Sequence, residues 1–319
     1  MKEIVFLNKN ADNWKRFEQI LFSNNEDIEE LSELYINLTN DLSYARTFYP
    51  DSKVTIYLND LALKAHQKIY KREKENNGRI AKFWKIDFPT VFYKTRKYFI
   101  YSLLITILGT AIGWLSSAND DTFVRLILGD AYVNMTEQNI KEGDPMAVYK
   151  SGNESVMFLG ITLNNIKVSF LAFVLGIFFS VGTGYIIFSN GIMLGAFHYI
   201  TFKNGVLLAS MSTIWLHGTI EIFSIIVAGG AGIIMGNSFM FPKTFTRIEA
   251  FKKGAKKGTV LIIGLVPLFI IAGFIEGFIT RYTFMPLFLK LSIIGSSLIF
   301  ITWYFFIYPR KIIYKTKKF

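Results

Sequence analysis

Charged positions crowd the first third of the chain and then almost vanish. Residues 168–202 carry no formal charge over 35 positions; residues 204–242 carry only Glu221, and residues 258–280 only Glu276. A helix needs roughly 20 apolar residues to cross the hydrocarbon core. Runs of this length therefore predict membrane spans. The expected spans are 98–115, 167–188, 192–208, 211–236, 258–280 and 291–308. Asn190-Gly191 reads as a turn between the second and third. If 190–210 crosses, the chain has six spans. If 190–210 and 211–236 form a re-entrant hairpin, it has four. Six is the reading adopted, and the fold class is all-α: a polytopic helical membrane protein with an N-terminal helical hairpin.

The polar part has its own pattern. Ile28, Leu31, Tyr35, Leu38, Leu42 and Ala45 recur at spacings of three and four, the stripe of an amphipathic helix. Asn24 and Asn25 before Glu26 and Asp27 read as its cap, and Pro50 ends it. Val54, Leu58, Leu61 and Ala65 start a second stripe that runs on towards Ile69. Residues 1–81 are thus expected to be a cytoplasmic helical module, its stripes packing on each other or offering a docking surface, with 72–81 a polar linker. Residues 82–97 mix Lys and Arg with Trp84, Phe88, Phe92 and Tyr93, the composition of an interfacial helix. The transmembrane domain then covers 98–308. Its loop 117–157 holds seven acids against three bases, and Val124, Leu128, Ala131 and Met135 suggest one amphipathic helix within it. Residues 309–319 form a basic tail.

The net charge of +11 would suit nucleic acid, but its location does not. Seventeen of the 35 Lys and Arg lie in residues 1–97, six in 237–257 and five in the tail. Basic residues flank membrane helices on the cytoplasmic side. Both termini are therefore expected in the cytoplasm, with the acidic loop outside. No cleavable signal is visible, because the first apolar run starts near Tyr98. The chain has no cysteine, which excludes disulfides and thiolate-ligated metal sites.

Ionisable groups within a span are costly and mark candidate function. His217 and Glu221, four residues apart, share a helical face. Glu276, near the end of an outward-running span, falls at a similar depth. These three form the candidate intramembrane polar cluster. It can be a packing device, a proton or cation site, a metal site or a hydrolytic site. HxxxE with one distant Glu lacks the paired histidines of a zinc protease, and no GxSxG or phosphate loop is present. No catalytic residue, metal or cofactor is therefore assigned. Gly229, Gly230, Gly232 and Gly236 predict close helix packing, and Pro267 a kink. His198 reads as structural, His66 as solvated.

Phe88-Pro89 followed by Arg96, Asn164-Asn165, Asn190-Gly191, His217-Gly218-x-x-Glu221 before the AGGAG run, and Glu276-Gly277 occur in that order. On these motifs the chain, from about Trp84 to Thr280, resembles the stage II sporulation protein M family of bacterial and archaeal membrane proteins. The resemblance implies the membrane fold. It also implies a role like that of the family's namesake, which anchors cell-wall hydrolases in a membrane complex during spore engulfment. The function expected is a non-enzymatic scaffold or anchor in a bacterial cell-envelope complex of the cytoplasmic membrane. Its partners would be the bilayer, other membrane or envelope proteins and a second copy of itself, with no nucleic acid. The alternative is a transporter or channel that uses the His/Glu cluster.

Overall fold

The computed structural model describes residues 2–22, 28–69, 78–150 and 152–316. They form two compact units, divided at Arg79.

The first unit has three helices rather than a hairpin: α1 (Glu3–Phe22), α2 (Ile28–Phe48) and α3 (Lys53–Ile69). The hairpin expectation missed α1, whose Phe6, Trp14, Phe17 and Leu21 lie on one helical face and are buried. They cover Leu38, Leu42 and Ala45 of α2 and Leu58, Leu61 and Ala65 of α3. The described side chains of both stripes thus pack into the unit's own core. Trp14 Nε1 donates to Asp41 Oδ2 at 2.8 Å, so the indole is buried with its donor satisfied. Ile4, Ile56 and Leu63 stay exposed. The expected cap at residues 24–27, most of the linker, and the side chains of Ile28, Leu31 and Ile69 lie outside the described residues.

The second unit contains, among the described residues, six helices long and apolar enough to cross a membrane. They are α4 (Arg79–Asn119), α7 (Glu154–Ile177), α8 (Val181–Lys203), α9 (Leu207–Met240), α10 (Arg247–Ile279) and α11 (Leu287–Tyr314). Between α4 and α7 lie α5 (Asp121–Leu128) and α6 (Asp130–Lys141). The single amphipathic helix expected here is split at Gly129, whose φ of 83° suits glycine.

α4 is 41 residues long, about 61 Å at 1.5 Å per residue. The basic-aromatic stretch 82–97 is its first part, with a π turn at Phe83–Asp87, and not a separate interfacial helix. Lys85, Lys94 and Arg96 are exposed, while Phe88 and Phe92 are buried. Phe88 lies over Gly264 of α10, where an added Cβ would sit 2.3 Å from its ring. Both rings meet Phe305 of α11 edge-on, at 5.4 and 4.8 Å. These two rings thus pack within the helix bundle.

The expected second span, 167–188, straddles the real turn. α7 ends at Ile177 and α8 starts at Val181, with Phe179 and Ser180 at φ of 54° and 67°. No glycine or proline marks this turn. It is held from outside: Ser180 Oγ donates to Ile233 O of α9 at 3.3 Å, and Gly176 abuts Gly232 so closely that a Cβ would lie 2.3 Å from its carbonyl oxygen. Conversely, Asn190-Gly191 is no turn but lies inside α8. Gly191 and Gly195 face Gly109 and Gly113 of α4, and a Cβ at Gly195 or Gly113 would come within 2.1 or 2.2 Å of the opposing backbone. Small residues four apart on both helices let the backbones touch.

α9 is the central helix, packed against α4, α7, α8, α10 and α11. Its glycine run is buried throughout. Gly229 meets Ser102 and Ile187, Gly230 meets Phe99, Gly232 meets Thr183 and Ala172, and Gly236 meets Ser180. These close approaches all lie within one chain. Pro267 lies inside α10. The ladder's irregular step comes later, as a π turn at Ile275–Ile279.

Candidate functional site

α9 carries His217 and Glu221 one turn apart. His217 is 10 residues from the first residue of α9, hence about 15 Å along the helix. α10 packs alongside α9 and reaches the same level with its last turn. There the π turn inserts one extra residue, and Thr280 N bonds back five residues to Ile275 O at 2.8 Å. Such π insertions re-aim side chains and recur at functional sites. Here the insertion turns both Glu276 and Thr280 towards His217.

One potential ligand atom from each of His217, Glu221 and Glu276 lies within 4.8 Å of the other two. His217 Nε2 is 3.7 Å from Glu276 Oε2, too far for a hydrogen bond. His217 Nδ1 is 3.1 Å from Thr280 Oγ1. That hydroxyl in turn donates to Ile275 O at 3.1 Å, so its oxygen is left to accept from His217. The network places the imidazole proton on Nδ1 and leaves the Nε2 lone pair facing the carboxylates. Glu221 Oε2 is buried without a hydrogen-bond partner, and so is Nδ2 of the nearby Asn165.

His217 and Glu221, but not Glu276, line a cavity of about 170 Å³. Besides His217 and Glu221, its walls include Asn164 and Asn165 of α7, Asn190 of α8, Thr106 of α4 and Gly218. Four residues singled out by sequence motif (Asn164, Asn165, Asn190 and Gly218) thus share one cavity with the His/Glu pair. Asn190 turns its amide back to Ile186 O at 2.8 Å. The other two motif glycines serve packing: Gly191 against α4, and Gly277 against Phe158 with a Cβ clearance of 3.0 Å. Met193, Leu194 and Ile214 also border a second cavity of about 350 Å³, lined by Ile127 and Leu128 of α5 and by Tyr132 and Tyr149. The ring of Tyr149 stands against that of His217, centroids 5.8 Å apart. Burial holds the Tyr149 hydroxyl well above its usual pKa, so it stays a proton donor.

The residues around the site tie the loop to the helices. Arg281 Nη1 meets Glu154 Oε1 at 2.8 Å, and its Nη2 meets Lys150 O at 3.4 Å. Lys150 pairs with Asp144 and lies 4.6 Å over the Phe284 ring. Lys290, at the start of α11, is buried and donates to Thr213 Oγ1 at 2.9 Å and to Thr283 O at 3.2 Å. Sequence reasoning passed over Tyr149, Thr280 and Lys290. A lone cation within Leu287-Phe288-Leu289-Lys290-Leu291 was a visible signal for the last. Nothing local marked Tyr149. His198 stands apart, its Nδ1 2.8 Å from Leu194 O, and His66 is exposed on the first unit.

Two family models match the chain. One, described as a domain of unknown function (DUF8413), matches residues 4–71, the three-helix unit. The other, stage II sporulation protein M, matches residues 102–281, which include every side chain of the cavity named above. No curated protein and no solved structure matches this chain. With more than half of its length under the second model, the chain belongs to the stage II sporulation protein M family of membrane proteins.

Proposed function

We propose that this chain is a non-enzymatic anchor or scaffold for a cell-envelope complex in the bacterial cytoplasmic membrane, with both termini on the cytoplasmic side. The observation that carries the reading is the division of labour within the chain. Residues 2–22 and 28–69 form a helical unit with its own core, and a six-helix membrane unit follows it in sequence. A compact polar module joined to a bundle that spends its helices on mutual packing is the build of an anchor. Ile4, Ile56 and Leu63, exposed on the module, are the side chains expected to meet a partner protein. The basic flanks of the spans support the orientation.

A transporter or channel needs a polar path to both faces. The cavity beside His217 is lined on α9 by residues between Ile214 and Ile226, and Val227 through Gly236 beyond it are all buried. A recess bounded at one end by a buried stretch of α9 favours a binding role over conduction. The test is mass spectrometry of the full chain extracted in mild detergent. Envelope proteins should co-purify in fixed ratio and be lost when residues 1–79 are deleted. Ion flux in liposomes from the chain alone, with no co-purifying protein, would overturn the reading.

A further inference from the structure

We infer that His217, Glu221 and Glu276 bind one divalent metal ion with zinc-like ligand preference, with an open coordination position facing the cavity. The first argument is the chemistry of the converging atoms. The Nε2 lone pair and two carboxylates all accept when ionised, and His217 Nε2 and Glu276 Oε2, 3.7 Å apart, make no hydrogen bond to each other. Three acceptors that face each other in a buried place call for a cation between them. Two carboxylates and a neutral imidazole match the charge of a divalent ion.

The second argument is the hydrogen bonding behind the histidine. A ligating imidazole almost always donates its other N–H to an acceptor that fixes its tautomer and orientation. Thr280 Oγ1 does this for His217, and Thr280 is in turn fixed by Ile275 O. The third is distance. Bonds of ~2.0–2.1 Å in a tetrahedral site put ligand atoms about 3.3 Å apart. The atoms here lie within 4.8 Å, so a shift of about 1.5 Å, the scale of a side-chain rotation, brings them to that spacing.

A fourth, independent observation is Asn165. It is 6% exposed and lines the cavity, and its Nδ2 makes no hydrogen bond of normal length. An amide N–H can only donate, and the neighbouring Glu221 carboxylate is the acceptor it would hold in place as a ligand. One imidazole and two carboxylates suit zinc, manganese, iron or cobalt better than calcium or magnesium, which prefer all-oxygen shells. Three protein ligands with a cavity at the fourth position is the pattern of an open site. The ion would join α9 to α10, with Tyr149 above it.

The experiment uses the full chain with a histidine-free tag, stripped with chelator and titrated with Co²⁺ as a visible probe. One cobalt per chain is expected, with the absorption of a low-coordinate N/O site that Zn²⁺ displaces. Glu276→Gln, which keeps size but removes a ligand charge, should weaken binding by more than 100-fold. Thr280→Val should weaken it about 10–100-fold, as loss of a supporting hydrogen bond does. His66→Gln should change nothing. Zn²⁺ should raise the melting temperature of the parent chain but not of Glu276→Gln. The parent chain is itself decisive: folded protein that takes up no cobalt overturns the inference. So does binding that survives Glu276→Gln or that depends on His66.

Discussion

Gly232→Ala and Gly218→Ala place the same methyl group on the same helix, and the structure gives them opposite consequences. At Gly232 the new Cβ would lie 2.3 Å from Thr183 Oγ1 and 2.5 Å from Ala172 O. The second is backbone, so α7 and α9 must separate by nearly 1 Å to reach ordinary contact. Overpacking of this kind costs about 1–3 kcal/mol. The methyl also displaces the hydroxyl that makes a buried 2.7 Å bond from Thr183 to Ala172 O, and leaving that bond unmade costs roughly 1–3 kcal/mol more. The sum is about 2–6 kcal/mol of destabilisation. At Gly218 the nearest atoms, Ile214 Cγ2 and Ile222 Cδ1, are 3.7 Å away. There the alanine has room, and its helix propensity adds between zero and about 1 kcal/mol of stability. Reversible unfolding in mixed micelles, followed by fluorescence of the five tryptophans, reads both. Gly232→Ala within about 0.5 kcal/mol of the parent, well below the overpacking range, would refute the close-contact account. So would equal losses in the two variants.

Two further outcomes follow from the orientation and from the packing of the first unit. Because the chain has no cysteine, single cysteines at Glu142 and Lys311 should react with an impermeant thiol reagent from opposite sides of the membrane; reaction from one side refutes the six-span orientation. A fragment of residues 1–79 should melt cooperatively as a helical protein, since Trp14, Phe17 and Leu58 are buried within that unit alone; a gradual, non-cooperative loss of helix would show that its core needs the membrane part.

Much of this protein is readable from composition along the chain. Long apolar runs with few charges determine that the chain spans a membrane and how many helices are long enough to do so, because hydrocarbon leaves the backbone no other partner than itself. The i, i+4 spacing determines that His217 and Glu221 share a face. Where helices start and stop was less legible. The turn at 178–180 has no local signal and exists because Gly232 and Gly236 of a distant helix make room for it. Asn190-Gly191, a turn by its residues, stays helical because Gly109 and Gly113 press against it. The arrival of Glu276 beside His217 was open to inference from depth alone, but the π turn that aims it, with Thr280 behind His217 and Tyr149 above, was not. Such positions depend on contacts between residues more than 50 apart in sequence, and only the packed helices decide them.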